Sequence, residues 1–196
     1  MSLLSKEQKR DGPEVVANHP DFQFPWCKAL LRDPKLQWTV QVPRPYLGGT
    51  VTNFMFEKTL GGQEGIRAHL SWNRPSREPD AVTGVEECWL LSCGEEVDGR
   101  RGRAHGGFNA LVLDQISGSV SHHARPQPEP PATATLTIDY KAPVSTPCTI
   151  LLRAWIIEKT GRKVWVKATI ENGDGVTCCA SKGLFVFPRS QTDEKL

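Results

Sequence analysis

The chain is short of several things that would place it quickly. No stretch of its 196 residues approaches the ~20 apolar residues that span a bilayer. Charge of one sign is lacking: 24 Lys and Arg face 22 Asp and Glu, a net of +2. A dedicated nucleic-acid binder would show a strongly basic face or arm, so that class is set aside. The opening "MSLLSKEQKRDGPEVVANHP" has no apolar core of a signal peptide, and a cytoplasmic protein is expected. Six cysteines occur without a CxxC pair or a Cys/His cluster at zinc-ligand spacing, so no metal is expected and the thiols read as free, small, buried hydrophobes. GxGxxG and P-loop signatures are missing, which leaves no resident cofactor to expect. There is no internal repeat.

What is present fits one compact domain with ordinary apolar (38%) and charged (23%) fractions. Residues 1–46 read as an arm that packs on the body through Phe22, Phe24, Trp26, Leu30 and Leu31, with Pro20, Pro25, Pro34, Pro43 and Pro45 breaking any long helix. Residues 47–190 form the body and 191–196 a polar tail. Strands are expected at "TVTNFMFEKT", "IRAHLSW", "ECWLLSCG", "TATLTIDY", "CTILLRAWIIE", "KVWVKATIE" and "VTCCASKGLFVF". "NRPSREPDAVTGV" reads as a loop, and "NGDG" as a hairpin turn. Cys178 and Cys179, adjacent on a strand, should face opposite ways. One very apolar helix in mid-chain has to be wrapped. Six or seven strands and that helix give an α+β class: an antiparallel β-sheet curled around one long central helix.

"RRGRAHGGFNALVLDQISGSV", residues 100–120, is the unusual stretch. Phe108, Val112, Ile116 and Val120 fall at i, i+4 spacing, and Leu111 and Leu113 broaden the stripe. Asp114 interrupts it, flanked on its own ridge by Ala110, Leu111, Ser117 and Gly118. Burying an unpaired charge is costly, so a folded chain tolerates one mainly where something uses it. Gly106 and Gly107 let a ligand approach the backbone, and their N–H groups sit at a helix N-terminus that favours negative charge. Together these make an oxyanion-hole layout, with the acid about 10 Å further along the axis. The alternative is a packed helix whose Asp bonds locally, with His105 merely orienting the loop. His122 and His123 read as partners for the helix C-terminal dipole. His19 and His69 show no partner pattern.

"AHGGFNALVLDQISG" resembles the signature of the hotdog-fold acyl-CoA thioesterases, and "TATLTIDYKAPV" resembles the strand that follows the helix in those families. The pattern is most similar to mammalian thioesterase-superfamily members and related fungal proteins. The resemblance spans about residues 50–187 and implies a homodimer or homotetramer with active sites at subunit interfaces. It implies that Asp114 is the general base or nucleophile, the Gly107 amide the oxyanion donor, His105 the motif histidine and Thr133 a residue positioning water. The expected activity is hydrolysis of an acyl thioester, with coenzyme A present only as part of the substrate. Gly106, Phe108, Asn109 and Leu111 would line the substrate. Arg103 and Lys141, with Arg100 and Arg101, would meet phosphates, or else form a solvated turn. A dehydratase or isomerase using His105 and Asp114 is the alternative enzyme, and a catalytically silent binding protein the third reading. Two positions depart from the family pattern. Gly99 stands where several relatives carry Asn or Gln, and Asn109 where many carry a small apolar residue.

Overall fold

The computed structural model describes residues 16–32, 55–125 and 129–189. Six strands form one fully antiparallel sheet in the order β1-β2-β6-β7-β8-β5. These strands are β1 (Ile66–Pro75), β2 (Val85–Cys93), β5 (Ala132–Tyr140), β6 (Cys148–Thr160), β7 (Lys163–Glu171) and β8 (Thr177–Val186). A small ribbon of β3 (Asp98–Arg100) and β4 (Arg103–Ala104) precedes helix α2 (Gly106–Ala124), and a short helix α1 (Pro25–Leu31) lies near the start. The 19 residues of α2 make a rod about 28 Å long that packs on β2, β5, β6, β7 and β8.

Strands β2 and β6 are buried over most of their length because both of their faces are covered. On β7 the alternation is clean: Val164, Val166, Ala168 and Ile170 are buried, while Trp165, Lys167 and Thr169 are half-buried on the other side. The main core lies between the sheet and α2, with Leu91, Ile150, Leu152, Ile156, Val166 and Phe185 meeting Val112, Leu113 and Ile116. A second cluster covers the opposite sheet face. There Phe22 and Cys27 pack with Leu70, Trp72, Leu90 and Leu151. Asp21 pins this cover: its Oδ2 accepts from Ser92 Oγ at 2.5 Å, and its carbonyl accepts from Thr149 Oγ1 at 3.0 Å.

Four expectations change. Met55–Thr59 is a single π-helical turn, closed by Leu60 N–H donating to Met55 O at 2.8 Å, and among the described residues it adds no strand to the β1 edge of the sheet. Residues 50–54 of that expected strand lie outside the described residues. The loop after Trp72 is shorter than expected, because Asn73, Arg74 and Pro75 still pair with Glu87, Glu86 and Val85. What remains of it is held to the sheet's outer face by Glu78 on Arg153 (2.6 Å) and by Asp80 on Lys167 (2.6 Å). Cys178 and Cys179 both enter the main core, since a bulge between the pairs Glu171–Thr177 and Ile170–Cys179 makes Cys178 an extra residue. Finally, eight strands occur among the described residues, the ribbon adding two short ones.

The "NGDG" turn is as expected. Asn172 Oδ1 accepts from the Asp174 and Val176 N–H groups, and Gly175 takes a φ of 75°.

Candidate active site

The β3–β4 ribbon sets the approach to α2. Asp98 Oδ2 accepts from the Gly102 N–H at 2.8 Å, and its other oxygen accepts from Thr146 Oγ1. Ala104 N–H bonds Val144 O and His105 N–H bonds Val97 O, so the chain enters the helix at a fixed angle. His105 is the N-cap, with extended backbone, and its Nδ1 accepts from the Gly107 N–H at 2.8 Å. Gly99 backs directly onto this histidine. A Cβ there would lie 2.8 Å from His105 Cδ2 and 3.0 Å from its Cα. A glycine at this position is therefore dictated by the close approach, which accounts for the departure noted in the sequence.

Helix α2 buries one side only. Phe108, Asn109, Val112, Leu113, Ile116, Ser117, Val120 and Ser121 are buried. Ala110, Leu111, Asp114, Gln115 and Gly118 form a half-exposed strip, and Gly106 and Gly107 at its start are exposed. Asp114 is therefore not a charge sunk in the core, as its position in the sequence suggested. It sits on the open side of the helix beside small residues, where solvent reaches it.

Edge strand β5 runs alongside that strip. Thr133 Oγ1 donates to Asp114 Oδ1 at 2.8 Å, and Tyr140 OH donates to Gly106 O at 3.0 Å, with 53% of Tyr140 exposed. The strand thus brings Thr133 to the acid and Tyr140 to the helix start. In the sequence Tyr140 carries no local sign of this contact, because a strand-end tyrosine does not reveal what it faces.

Other expected residues are placed differently. Phe108 is 6% exposed and belongs to the main core, so it does not wall an open groove: on a one-sided helix, the position three residues after the cap faces the sheet. Asn109 is 4% exposed with Oδ1 unpaired, facing inward and away from the surface strip. Leu111 lies half-buried on the strip rather than in the apolar stripe. Arg103 and Lys141 are exposed, as are Arg100 and Arg101. The Gly107 N–H, expected to be free for a ligand oxygen, is occupied by the His105 cap. Among the described residues, no group of three His, Cys, Asp or Glu side chains could hold a metal ion.

A second polar cluster lies toward the other end of α2. Glu87, buried on β2, accepts from Trp89 Nε1 (2.8 Å) and Ser119 Oγ (2.8 Å), and lies 3.1 Å from His123 Nδ1. Glu87 raises the proton affinity of His123, through a hydrogen bond first and its charge second. His123 is thus the partner of a named carboxylate rather than of the helix dipole alone. His69, half-buried, sets its ring tilted against Trp89 at a 4.5 Å ring separation, and desolvation holds its pKa down to about 4. The paired acids of "VEECWLLSC" were the available signal for this cluster.

Residues 101–179 match the model of a family described as the thioesterase superfamily. That span carries the likeness to the family. It holds α2, β5, β6, β7 and the start of β8, and with them the Thr133–Asp114 contact. Among solved structures, a thioesterase superfamily protein is 23% identical, with a TM-score of 0.50, covering 61% of this chain and 54% of its own. The chain therefore spans about half the length of that relative. Zebra fish thioesterase superfamily member 2 is 18% identical (TM-score 0.49; 53% of this chain, 75% of that one). A Streptococcus mutans UA159 protein bound to acetyl CoA is 20% identical (TM-score 0.49; 54% and 84%). No curated protein matches the chain. The fold is the hotdog: an antiparallel sheet wrapped on a central helix.

Proposed function

We propose that this domain hydrolyses an acyl thioester at the open side of α2. The observation that carries the reading is the 2.8 Å bond from Thr133 to Asp114, on the open side of a helix that begins with two glycines. Thr133 fixes one carboxylate oxygen and leaves the other for a water molecule. Asp114 takes a proton from that water, whose oxygen adds to the thioester carbonyl carbon. The negative charge that develops on the carbonyl oxygen would be met by the first-turn amides and helix dipole of a second subunit, because the same helix's own first turn lies about 10 Å from Asp114. Collapse of the adduct expels the thiolate, which picks up a proton. Direct attack by Asp114, through an anhydride that water then opens, uses the same geometry.

The Gly107 amide enters this scheme only by exchanging partners. An arriving carbonyl oxygen takes its N–H from His105 Nδ1, so His105 acts as a displaceable cap. The dehydratase or isomerase alternative needs His105 to carry protons, and its Nδ1 is engaged in the cap. Exposed Arg100, Arg101, Arg103 and Lys141 would meet phosphates of a coenzyme A moiety, the expected thiol carrier. Leu111 offers apolar contact along the strip. A second subunit set against β5 would complete the site, because the carboxylate of one chain alone lies open to solvent.

The test is thiol release from short, long and aryl acyl-CoAs by wild type, Asp114→Asn and Thr133→Ala. Loss of the base is expected to lower kcat by about 10²–10⁴-fold, and loss of the positioning hydroxyl by less. Equal turnover by wild type and Asp114→Asn, with the mutant folded by circular dichroism, would remove Asp114 from the mechanism.

A further inference from the structure

Cys93 closes β2 and Cys148 opens β6, and the two are directly opposite in the antiparallel ladder. Residues so opposed project to the same face with Cα atoms about 4.5–5.5 Å apart, inside the ~4.4–6.8 Å range a disulfide bridges. The strand register therefore places the two backbones within the span of an S–S bond. All six cysteines are free thiols, and five of them are buried. Cys148 is the half-buried exception, and it packs against the same core cluster that contains Cys93.

The two thiols sit close enough to set each other's proton affinity. Contact with Cys93 holds Cys148 below the ordinary thiol range; burial works against this, and the Arg67 guanidinium assists it. Cys93 moves the opposite way, pushed up by Cys148 and by burial. The remaining thiols are inert by comparison, since burial pushes Cys27 up to about 12, Cys179 up to about 11, and Cys88 and Cys178 upward as well. The pair thus combines a half-buried attacking cysteine with a buried resolving one.

We propose that Cys93 and Cys148 are a reversible dithiol–disulfide couple that reacts with small-molecule disulfides of the glutathione type. The Cys148 thiolate attacks one sulfur of RSSR, forming a mixed disulfide and releasing one RS⁻, which takes up the proton Cys148 gave up. Cys93 then loses its proton and attacks Cys148 Sγ, closing the protein disulfide and releasing the second RSH. Two protein thiols are oxidised and one RSSR is reduced to two RSH. The bond would tie together the two chain segments that frame the β3–β4 ribbon. Val97, four residues after Cys93, accepts the His105 N–H, and Thr146, two residues before Cys148, bonds Asp98. The inference rests on strand register and stands apart from the hydrolytic reading.

The experiment equilibrates the full chain in oxidised and reduced glutathione mixtures, blocks remaining thiols by alkylation, and maps linked peptides by mass spectrometry. The expected result is loss of two of the six thiols, with Cys93 and Cys148 peptides joined and both thiols recovered in dithiothreitol. Cys148→Ser should abolish the loss, and Cys93→Ala should leave Cys148 as a mixed disulfide with glutathione. Cys178→Ser should still lose the same two. Retention of all six thiols in fully oxidised glutathione, or linkage of Cys148 to Cys178, would overturn the assignment. The wild-type map decides the matter even where a variant fails to fold.

Discussion

His69 is a half-buried imidazole on an edge strand, tilted against Trp89, with its Nε2 buried and without a hydrogen-bond partner among the described residues. In the unfolded chain it takes up a proton near pH 6.5, and in the folded protein only near pH 4. Between those values the unfolded state binds the extra proton, so stability falls as pH drops from about 6.5 to about 4. The largest loss is roughly 3 kcal/mol. His123 runs the other way. Its pKa is raised by Glu87, so its contribution is complete below about pH 6.5 and fades as pH rises through the raised value. Urea unfolding of His69→Leu should show a flatter decline between pH 6.5 and 4 than wild type. An unchanged decline would mean that His69 does not set the acid limb.

At the scale of elements, the junction of the β3–β4 ribbon with α2 depends on close approach. Gly99 lets the ribbon lie against His105, and His105 in turn caps the helix. Gly99→Asn, which introduces a residue some relatives carry at that point, should force the two apart and cost about 1–3 kcal/mol. Thermal unfolding measures that cost, and a variant as stable as wild type would show that the ribbon can move aside. The helix itself was legible in the sequence from its glycine start, its i, i+4 stripe and the proline-rich stretch that follows. Which half of it faces water was not. Leu111 and Leu113 are chemically alike, yet one lies on the open strip and the other in the core, because the sheet covers only one side. The meander of β6, β7 and β8 was legible for a local reason too: alternation with period two and a strong "NGDG" turn specify strands without reference to anything distant.

At the scale of the whole molecule, the sheet has two covered faces, one under α2 and one under the segment that carries Phe22 and Cys27. Phe22 is fully buried against Leu70, Trp72 and Leu90. Phe22→Ala should therefore cost about 3–5 kcal/mol, as a central core residue does. A loss under 1 kcal/mol in denaturant unfolding would mean that the segment contributes little to holding the sheet. Among the described residues strand β5 has a free edge, and Thr133, Thr135, Thr137 and Asp139 are exposed. A second copy of the chain would cover that edge together with the open strip of α2. Light scattering should report a dimer or tetramer, and a monomer at micromolar concentration would undermine a site shared between subunits.

The sequence by itself determined the local periods: where the helix starts, which strands alternate, which turn closes a hairpin, and that an acid follows His-Gly-Gly at a fixed interval. These follow from steric and hydrogen-bonding preferences acting over a few neighbouring residues. Only the tertiary structure decided what meets what. Thr133 reaches Asp114 across 19 residues, Cys148 stands opposite Cys93, Gly99 touches His105 through a ribbon, and Phe108 turns into the core. Register between distant strands and the choice of covered face depend on the packing of the whole core, and no local period in the chain encodes them.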